Sequence, residues 1–382
     1  MSSYNERQIV RIAIVHDDLT QRGGAERVVE AMHNIWPDAP IYTSVYDAKN
    51  TFSTFTKCEI CTSYMQKIPF AASAKYNKFF LIFYPTAFEM LDLRGFDVVL
   101  SSTTRFSHGV ITSPETCHVS YCHSPSRFAW RYHEYISEGK IGKIFEGIIP
   151  LLVHYLRLWD YMASRRVDYY IANSRNTARR LLKFYGVNSN VVYPPVETHR
   201  FFIEENPSLD YYLVVSRLVS YKKVDLAIQA CNHLRIPLKV VGNGPDLKRL
   251  KSIAGSTVEI LGRVPDGEVE KLFANCKGFF FPGEEDFGIA PLEAMASGRP
   301  VIAYRAGGAI ETVVDGETGV FFDKPTIESL VDAIQRFEKL VFDPAKLRLH
   351  AEKFSAEVFQ KQLSILLERC FSEYNYKYRN IS

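Results

Sequence analysis

The chain has 382 residues, with 46 Lys and Arg against 43 Asp and Glu and a formal charge of +3 at neutral pH, a length that predicts two domains rather than one. Its composition of 47% hydrophobic, 23% charged and 13% aromatic residues, with 21 Gly and 18 Pro, excludes disordered, collagen-like and coiled-coil chains. No apolar run approaches the roughly 18 residues of a membrane span, and the segment before Asp17 and Asp18 lacks the apolar core of a signal peptide, so we expect a cytoplasmic protein.

In chain order, residues 10–16 are an apolar run fit for a buried parallel strand. Gly23-Gly24 then opens a helix whose apolar stripe is Val28, Val29, Met32 and Ile35. Residues 96–102, 119–123 and 167–174 predict further strands, the last followed by a helix near 176–185. A strand at 191–193 runs into Pro194-Pro195, which stops any helix and suits a linker. A second series begins with a strand at 211–218 and a helix at 224–234, and continues with strands at 238–241, 258–261, 278–281, 301–304 and 319–322. Strands alternating with helices predict an α/β chain of two open, doubly wound parallel sheets, with the ligand beyond the strand C-termini.

Seven cysteines, at 58, 61, 117, 122, 231, 276 and 370, are odd in number and thinly spread, which reads as reduced thiols. Cys58 and Cys61 form a Cys-x-x-Cys pair without the four ligands a structural zinc requires, and no metal site is expected. Residues 127–183 hold 11 basic and 5 acidic residues, or +6, interleaved with Trp130, Tyr132, Tyr135, Phe145, Tyr155, Trp159 and Tyr161. Lys75, Lys78, Phe79, Phe80 and Phe83 form a second basic and aromatic group. Such stretches suit an anionic surface, while a solvated helix face over core aromatics has the same composition.

Ser216-Arg217-Leu218 ends a predicted strand and Lys222-Lys223 opens the next helix, which puts cations at the carboxyl edge of a sheet beside free helix N–H groups, a setting for a diphosphate. Glu285 and Glu293 stand eight residues apart after strand 278–281, in a loop and on the inner side of the helix that follows it. Eight steps at 3.6 residues per turn return near the same face, so both carboxylates are expected to reach one ligand. Carboxylates accept two hydrogen bonds and so suit vicinal hydroxyls of a sugar or ribose. Gly288 and Ile289 offer backbone N–H groups nearby. Gly242-Asn243-Gly244-Pro245 is a fragment of a dinucleotide fingerprint with Leu247 where the third glycine would stand. His123 emerges at a strand C-terminus. No Gly-x-x-x-x-Gly-Lys-Ser/Thr loop, Gly-x-Ser-x-Gly elbow or Asp-x-Asp clamp is present, which leaves charge neutralisation to Arg217 and Lys222.

Taken together, Ser216-Arg217-Leu218 with Lys222, Gly242-Asn243-Gly244-Pro245, Leu261-Gly262-Arg263-Val264, Glu285-x7-Glu293, Gly307-Gly308-x-x-Glu311 and Asp315-Gly316-x-Thr318-Gly319 resemble the retaining glycosyltransferases of family 4. Gly23-Gly24-Ala25-Glu26, Cys122-His123-Ser124-Pro125 with Trp130, and Tyr193-Pro194-Pro195-Val196 are similar to the N-terminal half of bacterial polysaccharide-building members. The resemblance implies a GT-B fold of two Rossmann-like domains facing across a cleft. We expect an acceptor domain at 1–197, a donor domain at 198–355, and a helix at 356–382 returning to the first domain. By motif position, Arg217 and Lys222 would hold the diphosphate with Ser216 beside them, Glu285 the sugar hydroxyls and Glu293 the ribose. Arg263 and Val264 would meet the base through backbone, and Phe287 lies in the donor segment with Gly288 and Ile289. His123 would lie near the transferred sugar and Gly24 beside the phosphates. Where the family has Lys-Gly this chain has Lys222-Lys223, which leaves open which lysine contacts phosphate.

The resemblance implies no cofactor, no metal and no nucleic-acid partner. It implies transfer of a hexose, with UDP-glucose favoured on family frequency and GDP-mannose as the alternative. The acceptor would be a lipid-linked saccharide reached at the cytoplasmic face of the plasma membrane. A nicotinamide-dependent oxidoreductase would share the sheets but needs a complete Gly-x-Gly-x-x-Gly. An inactive scaffold of a polysaccharide assembly complex would be expected to lose the cations or glutamates, and all are present.

Overall fold

The structure, a computed structural model, describes residues 10–73, 77–130 and 148–379. It divides into two units, one of residues 1–173, 177–192 and 360–382 and one of residues 174–176 and 193–359.

The first unit is built on a seven-stranded sheet of β1 (Ile12–His16), β2 (Ile41–Thr43), β3 (Ile60–Thr62), β4 (Val98–Thr103), β5 (Cys117–Cys122), β6 (Tyr169–Ala172) and β7 (Ser189–Val191). Every pairing is parallel and the order is β3-β2-β1-β4-β5-β6-β7. Strands β4 and β5 are buried along their whole length, as expected where helices cover both faces of a parallel sheet. The described helices are α1 (Gly24–Ile35), α2 (Tyr84–Glu89), α3 (Arg127–Trp130), α4 (Ile148–Ser164) and α5 (Arg175–Tyr185). Helix α1 buries Val28, Val29 and Met32 as its periodicity predicts. Strands β2 and β3 are missing from the sequence reading because three residues are too few to show a period.

The second unit holds β8 (Tyr212–Val215), β9 (Leu238–Val241), β10 (Val258–Gly262), β11 (Gly278–Phe281), β12 (Val301–Tyr304) and β13 (Gly319–Phe322), parallel in the order β10-β9-β8-β11-β12-β13. Its helices are α6 (Val224–Leu234), α7 (Leu247–Ile253), α8 (Asp266–Asn275), α9 (Ala290–Ala296), α10 (Ala309–Thr312), α11 (Ile327–Phe337), α12 (Pro344–Glu352) and the start of α13 (Ala356–Arg379). Period-two alternation splits the core into two layers. Leu213, Phe279, Phe281, Val301 and Ala303 face one layer, and Tyr212, Val214, Phe280, Ile302 and Phe322 the other. From Gln360 onward α13 belongs to the first unit, where Gln360 donates to Ala31 O and Tyr374 OH donates to Pro114 O at 2.6 Å.

In both sheets the strand order reverses once, between β1 and β4 in the first unit and between β8 and β11 in the second. At such a switch point the flanking connections leave the sheet in opposite directions and open a crevice past the strand ends.

Candidate donor and acceptor sites

In the second unit the chain leaving β8 is pinned by its neighbours. Ser216 N donates to Val241 O and Leu218 N to Asn243 O, both at 3.0 Å, and Asp246 N donates to Leu218 O. A Cβ on Gly242 would overlap Ser216 O, and one on Gly244 would overlap Leu218 O. The Gly-Asn-Gly sequence therefore braces the 216–218 loop, and its glycines are required by close backbone packing.

A single helical turn, Ser220–Lys222, follows, and Lys223 then takes a left-handed conformation (φ 52°, ψ 33°) as the residue preceding α6. This is the backbone geometry glycine prefers, so the conformation of a Lys-Gly pair persists here with a lysine in it. Lys222 and Lys223 consequently diverge. The Lys222 ammonium forms an ion pair with Glu285, both side chains largely buried, while Lys223 is exposed. Arg217 is exposed and makes no side-chain ion pair among the described residues. Ser216 is half-buried, with its hydroxyl donating to Arg217 O at 3.1 Å.

Glu285 lies on the other side of the switch point, in the loop between β11 and α9. A Cβ on Gly283 would come within 2.7 Å of Tyr221 O and 2.8 Å of Lys222 Cα, so this glycine lets the two loops touch. Gly308 N donates to Glu285 O at 2.8 Å, and a Cβ on Gly307 or Gly308 would overlap the Glu285 or Phe287 backbone. The Gly307-Gly308 pair thereby fixes the height of the Glu285 loop. Gly288, at φ +86°, packs on the Phe281 ring. The Phe287 side chain is buried, stacked on Tyr193 with centroids 5.4 Å apart, which leaves only its backbone for a ligand. Ile289 precedes α9, and Glu293 is half-buried on its first turn. Because only Ala290–Ala296 is helical, Glu285 is placed by the loop contacts rather than by helical periodicity. Past β10, Arg263 is exposed and Val264 packs half-buried on the core.

In the first unit, His123 follows β5 and is half-buried. Its Nε2 lies 2.9 Å from Ser102 Oγ, and burial together with the nearby His16 holds its pKa down to about 3 against the opposing pull of Asp17. Gly24 is the exposed first residue of α1. Sequence reasoning passed over the residue that organises this edge. Buried Asp17, just past β1, accepts hydrogen bonds from Thr104 N and Oγ1, Arg105 N, Phe106 N and Ser107 N at 2.6–2.9 Å. Asp18 pairs with Arg105 and accepts from Thr20 Oγ1. Two acids directly after a strand were the available signal; their partners lie some 87 residues away.

The described aromatics of the basic stretch separate into packed and exposed groups. Trp130 stacks on Phe184 and donates to Asp160 at 2.7 Å, and Trp159 donates to Glu89 at 2.8 Å, so both are structural. Leu151, Tyr155, Leu158, Tyr161 and Met162 are exposed on one face of α4, with Leu151 at 71% and Met162 at 62%. Phe80 packs against the core and Phe83 is exposed. Lys75, Tyr132, Tyr135 and Phe145 lie outside the described residues, as do the side chains of Lys78 and Phe79. Among the described residues no helix is long and apolar enough to cross a membrane, and no group of three or more His, Cys, Asp or Glu could hold a metal ion.

Residues 22–200 match the family model described as Glycosyltransferase Family 4, and residues 195–354 match Glycosyl transferases group 1. An uncharacterized glycosyltransferase of Methanocaldococcus jannaschii is 30% identical over 176 residues, 44% of this chain and 47% of that one. The GDP-mannose-dependent alpha-(1-6)-phosphatidylinositol monomannoside mannosyltransferase of Mycolicibacterium smegmatis is 33% identical over 192 residues, 42% of this chain and 50% of that one. The alpha-1,3/1,6-mannosyltransferase ALG2 of Kluyveromyces lactis is 24% identical over 376 residues, 80% of this chain and 71% of that one. The matched region thus spans about half the length of the first two of these relatives. Among solved structures, Anabaena HepE in complex with UDP superimposes with a TM-score of 0.69 at 16% identity, covering 94% of this chain and all of that one. Sucrose-phosphate synthase of Thermosynechococcus elongatus gives 0.69 at 15%, covering 95% and 100%.

Proposed function

This chain joins a Glycosyltransferase Family 4 domain to a Glycosyl transferases group 1 domain in the GT-B class, and we propose that it is a retaining, metal-independent glycosyltransferase. It moves a hexose from a nucleotide sugar to a lipid-linked or growing polysaccharide acceptor. The observation that carries this reading is the Lys222–Glu285 pair at the β8/β11 switch point. A cation and a carboxylate, each held by glycine-enforced loop contacts, match the two halves of a sugar diphosphate.

In this reading Arg217 and Lys222 meet the diphosphate, supported by the N–H groups of Gly288 and Ile289. Lys222 exchanges part of its pairing with Glu285 for phosphate oxygen, and the released carboxylate accepts hydrogen bonds from sugar hydroxyls. Glu293 takes the ribose hydroxyls, the backbone of Arg263 and Val264 the base, and His123 and Gly24 the sugar and phosphate side of the first unit. As the glycosidic bond breaks, charge grows on the departing diphosphate, and preorganised cations stabilise it more than they stabilise the ground state. Losing one such contact should cost on the order of 10²–10³ in kcat.

The donor we propose is GDP-mannose. Family frequency alone favours UDP-glucose, but relatives of Mycolicibacterium smegmatis and Corynebacterium glutamicum whose names state a donor are GDP-mannose-dependent mannosyltransferases. For the acceptor side, the α4 face supports peripheral contact with an anionic membrane. Leu151, Tyr155, Leu158 and Met162 recur at helical spacing on its exposed side, an apolar stripe of the kind an interfacial helix presents, and exposed Arg165 follows directly after the helix.

The test is a thermal-shift and transfer panel in EDTA with GDP-mannose and UDP-glucose. At 100 times its dissociation constant the true donor adds about 2.7 kcal/mol of stability, and NMR of the product shows the donor's anomeric configuration retained. Stabilisation by UDP-glucose alone overturns the donor assignment. Loss of transfer in EDTA that magnesium restores overturns metal independence.

A further inference from the structure

The edge of the first sheet carries a buried polar chain that fixes the proton on His123. It begins with β-sheet register: His16 is paired with Ser102 across β1 and β4, and Thr103 with Cys122 across β4 and β5, so His123 follows directly beside them. His16 Nδ1 lies 3.0 Å from Ser102 O and 3.2 Å from Ser102 Oγ. A carbonyl oxygen only accepts, so Nδ1 of His16 carries a hydrogen.

The other nitrogen, His16 Nε2, faces Glu26 Oε1 at 4.0 Å, with both side chains almost fully buried. The remaining acids nearby are already committed, Asp17 to five donors from 104–107 and Asp18 to Arg105 and Thr20. Glu26 is different: Gln21 Nε2 donates to its Oε1 at 3.1 Å, while its Oε2 is buried without a partner. The chain makes room for this carboxylate, since a Cβ on Gly23 would stand 2.6 Å from Oε2. A carboxylate buried with a bare imidazole nitrogen opposite would be two acceptors face to face; a proton on Nε2 resolves this and makes His16 the counter-ion.

The consequence runs outward. Ser102 Oγ accepts from His16 Nδ1, so its own O–H is left to donate, and the group placed to accept it is His123 Nε2 at 2.9 Å. We infer that Glu26, His16 and Ser102 form a positioning relay that holds His123 as the neutral tautomer with its hydrogen on Nδ1. His123 then meets its ligand as a hydrogen-bond donor, with no free lone pair to act as a base. In the sugar-transfer reading, on which the ligand's identity rests, such a donor suits a hydroxyl or ring oxygen of the transferred hexose. Glu26, His16 and Ser102 touch no substrate in this scheme and act only through His123.

The relay is tested on the full chain by long-range ¹⁵N–¹H NMR of the histidine rings, which reads tautomer and charge directly without any assay of activity. Wild type is expected to show His123 with hydrogen on Nδ1 and His16 doubly protonated at neutral pH. Ser102→Ala should release His123 into a mixture of tautomers, and Glu26→Gln should return His16 to the neutral form. In the transfer assay, Ser102→Ala should lower kcat on the order of 10²-fold through misplacement of His123, with KM little changed, and Ser102→Thr should restore part of it. Finding hydrogen on Nε2 of His123 in wild type overturns the inference, as does a neutral wild-type His16. Should Ser102→Ala fail to fold, the charge of His16 in Glu26→Gln still decides: an unchanged imidazolium there breaks the relay. Because the NMR signatures need no donor, a protein that transfers no sugar but shows them refutes only the functional reading.

Discussion

Removing Asp17 should cost the first unit several kcal/mol of stability. Burial pushes its carboxyl pKa up, but Arg105, His16 and the hydrogen bonds from Thr104 and Phe106 outweigh that and hold it at about 2, against an ordinary 3.8. At about 1.36 kcal/mol per unit, this difference is roughly 2.4 kcal/mol of native-state stability. The folded value lies below the unfolded one, so the contribution is complete above about pH 5 and is lost as pH falls through 2. Asp17→Asn removes it. The amide also has a single acceptor oxygen for donors that now number five, and leaving buried donors unmet adds about 1–3 kcal/mol. The assay is urea unfolding followed by tryptophan fluorescence, which reports the first unit because Trp36, Trp130 and Trp159 all lie there. The stability gap between wild type and Asp17→Asn should be several kcal/mol at pH 7, and its titrating part should shrink by roughly half by pH 3. A gap of the same size at both pH values would refute the account of Asp17 as a charged clasp.

Lys223→Gly should raise stability by up to about 1 kcal/mol, since relief of a left-handed non-glycine residue outweighs the extra freedom of the unfolded chain; a lowered melting temperature contradicts this. By calorimetry, Glu293→Ala should weaken both free nucleoside diphosphate and the sugar donor, because both carry the ribose, whereas Glu285→Ala should weaken only the sugar donor. Equal losses for both ligands in both variants would remove that division of roles. The paired substitution Leu151→Asp with Leu158→Asp should abolish sedimentation with anionic liposomes while leaving the far-ultraviolet spectrum unchanged, and wild-type binding should fall with added salt. Wild-type binding indifferent to lipid charge and salt would rule out the α4 face as an anionic-membrane contact.

Much of the architecture was legible from local pattern alone. Buried parallel strands such as Gly278–Phe281 and Val301–Tyr304 announce themselves as short apolar runs, and helices such as Val224–Leu234 as periodic stripes, because both patterns are written within a few consecutive residues. The candidate groups at the strand ends, Lys222, Glu285, Glu293 and His123, were legible for the same reason. What each of them touches was not. Lys222 meets Glu285 only because strands β8 and β11 are neighbours and Gly283 lets their loops close. Trp130 and Tyr155 come from one stretch and meet opposite fates, because Trp130 at the end of α3 stacks on Phe184 of α5 while Tyr155 stands on the exposed face of α4. Gly242 and Gly244, a broken fingerprint by spacing, are close-packing residues against Ser216 and Leu218. Glu26 reads as an ordinary acid in a helix's first turn; strand β1 sets the histidine opposite it, and the missing side chain of Gly23 leaves room for its carboxylate. Secondary structure is set by interactions between residues a few positions apart, which a sequence displays directly. Hydrogen bonds, charges and tautomers are set by atoms that the fold brings together from tens to hundreds of residues away, and those distances exist only once the sheets have formed.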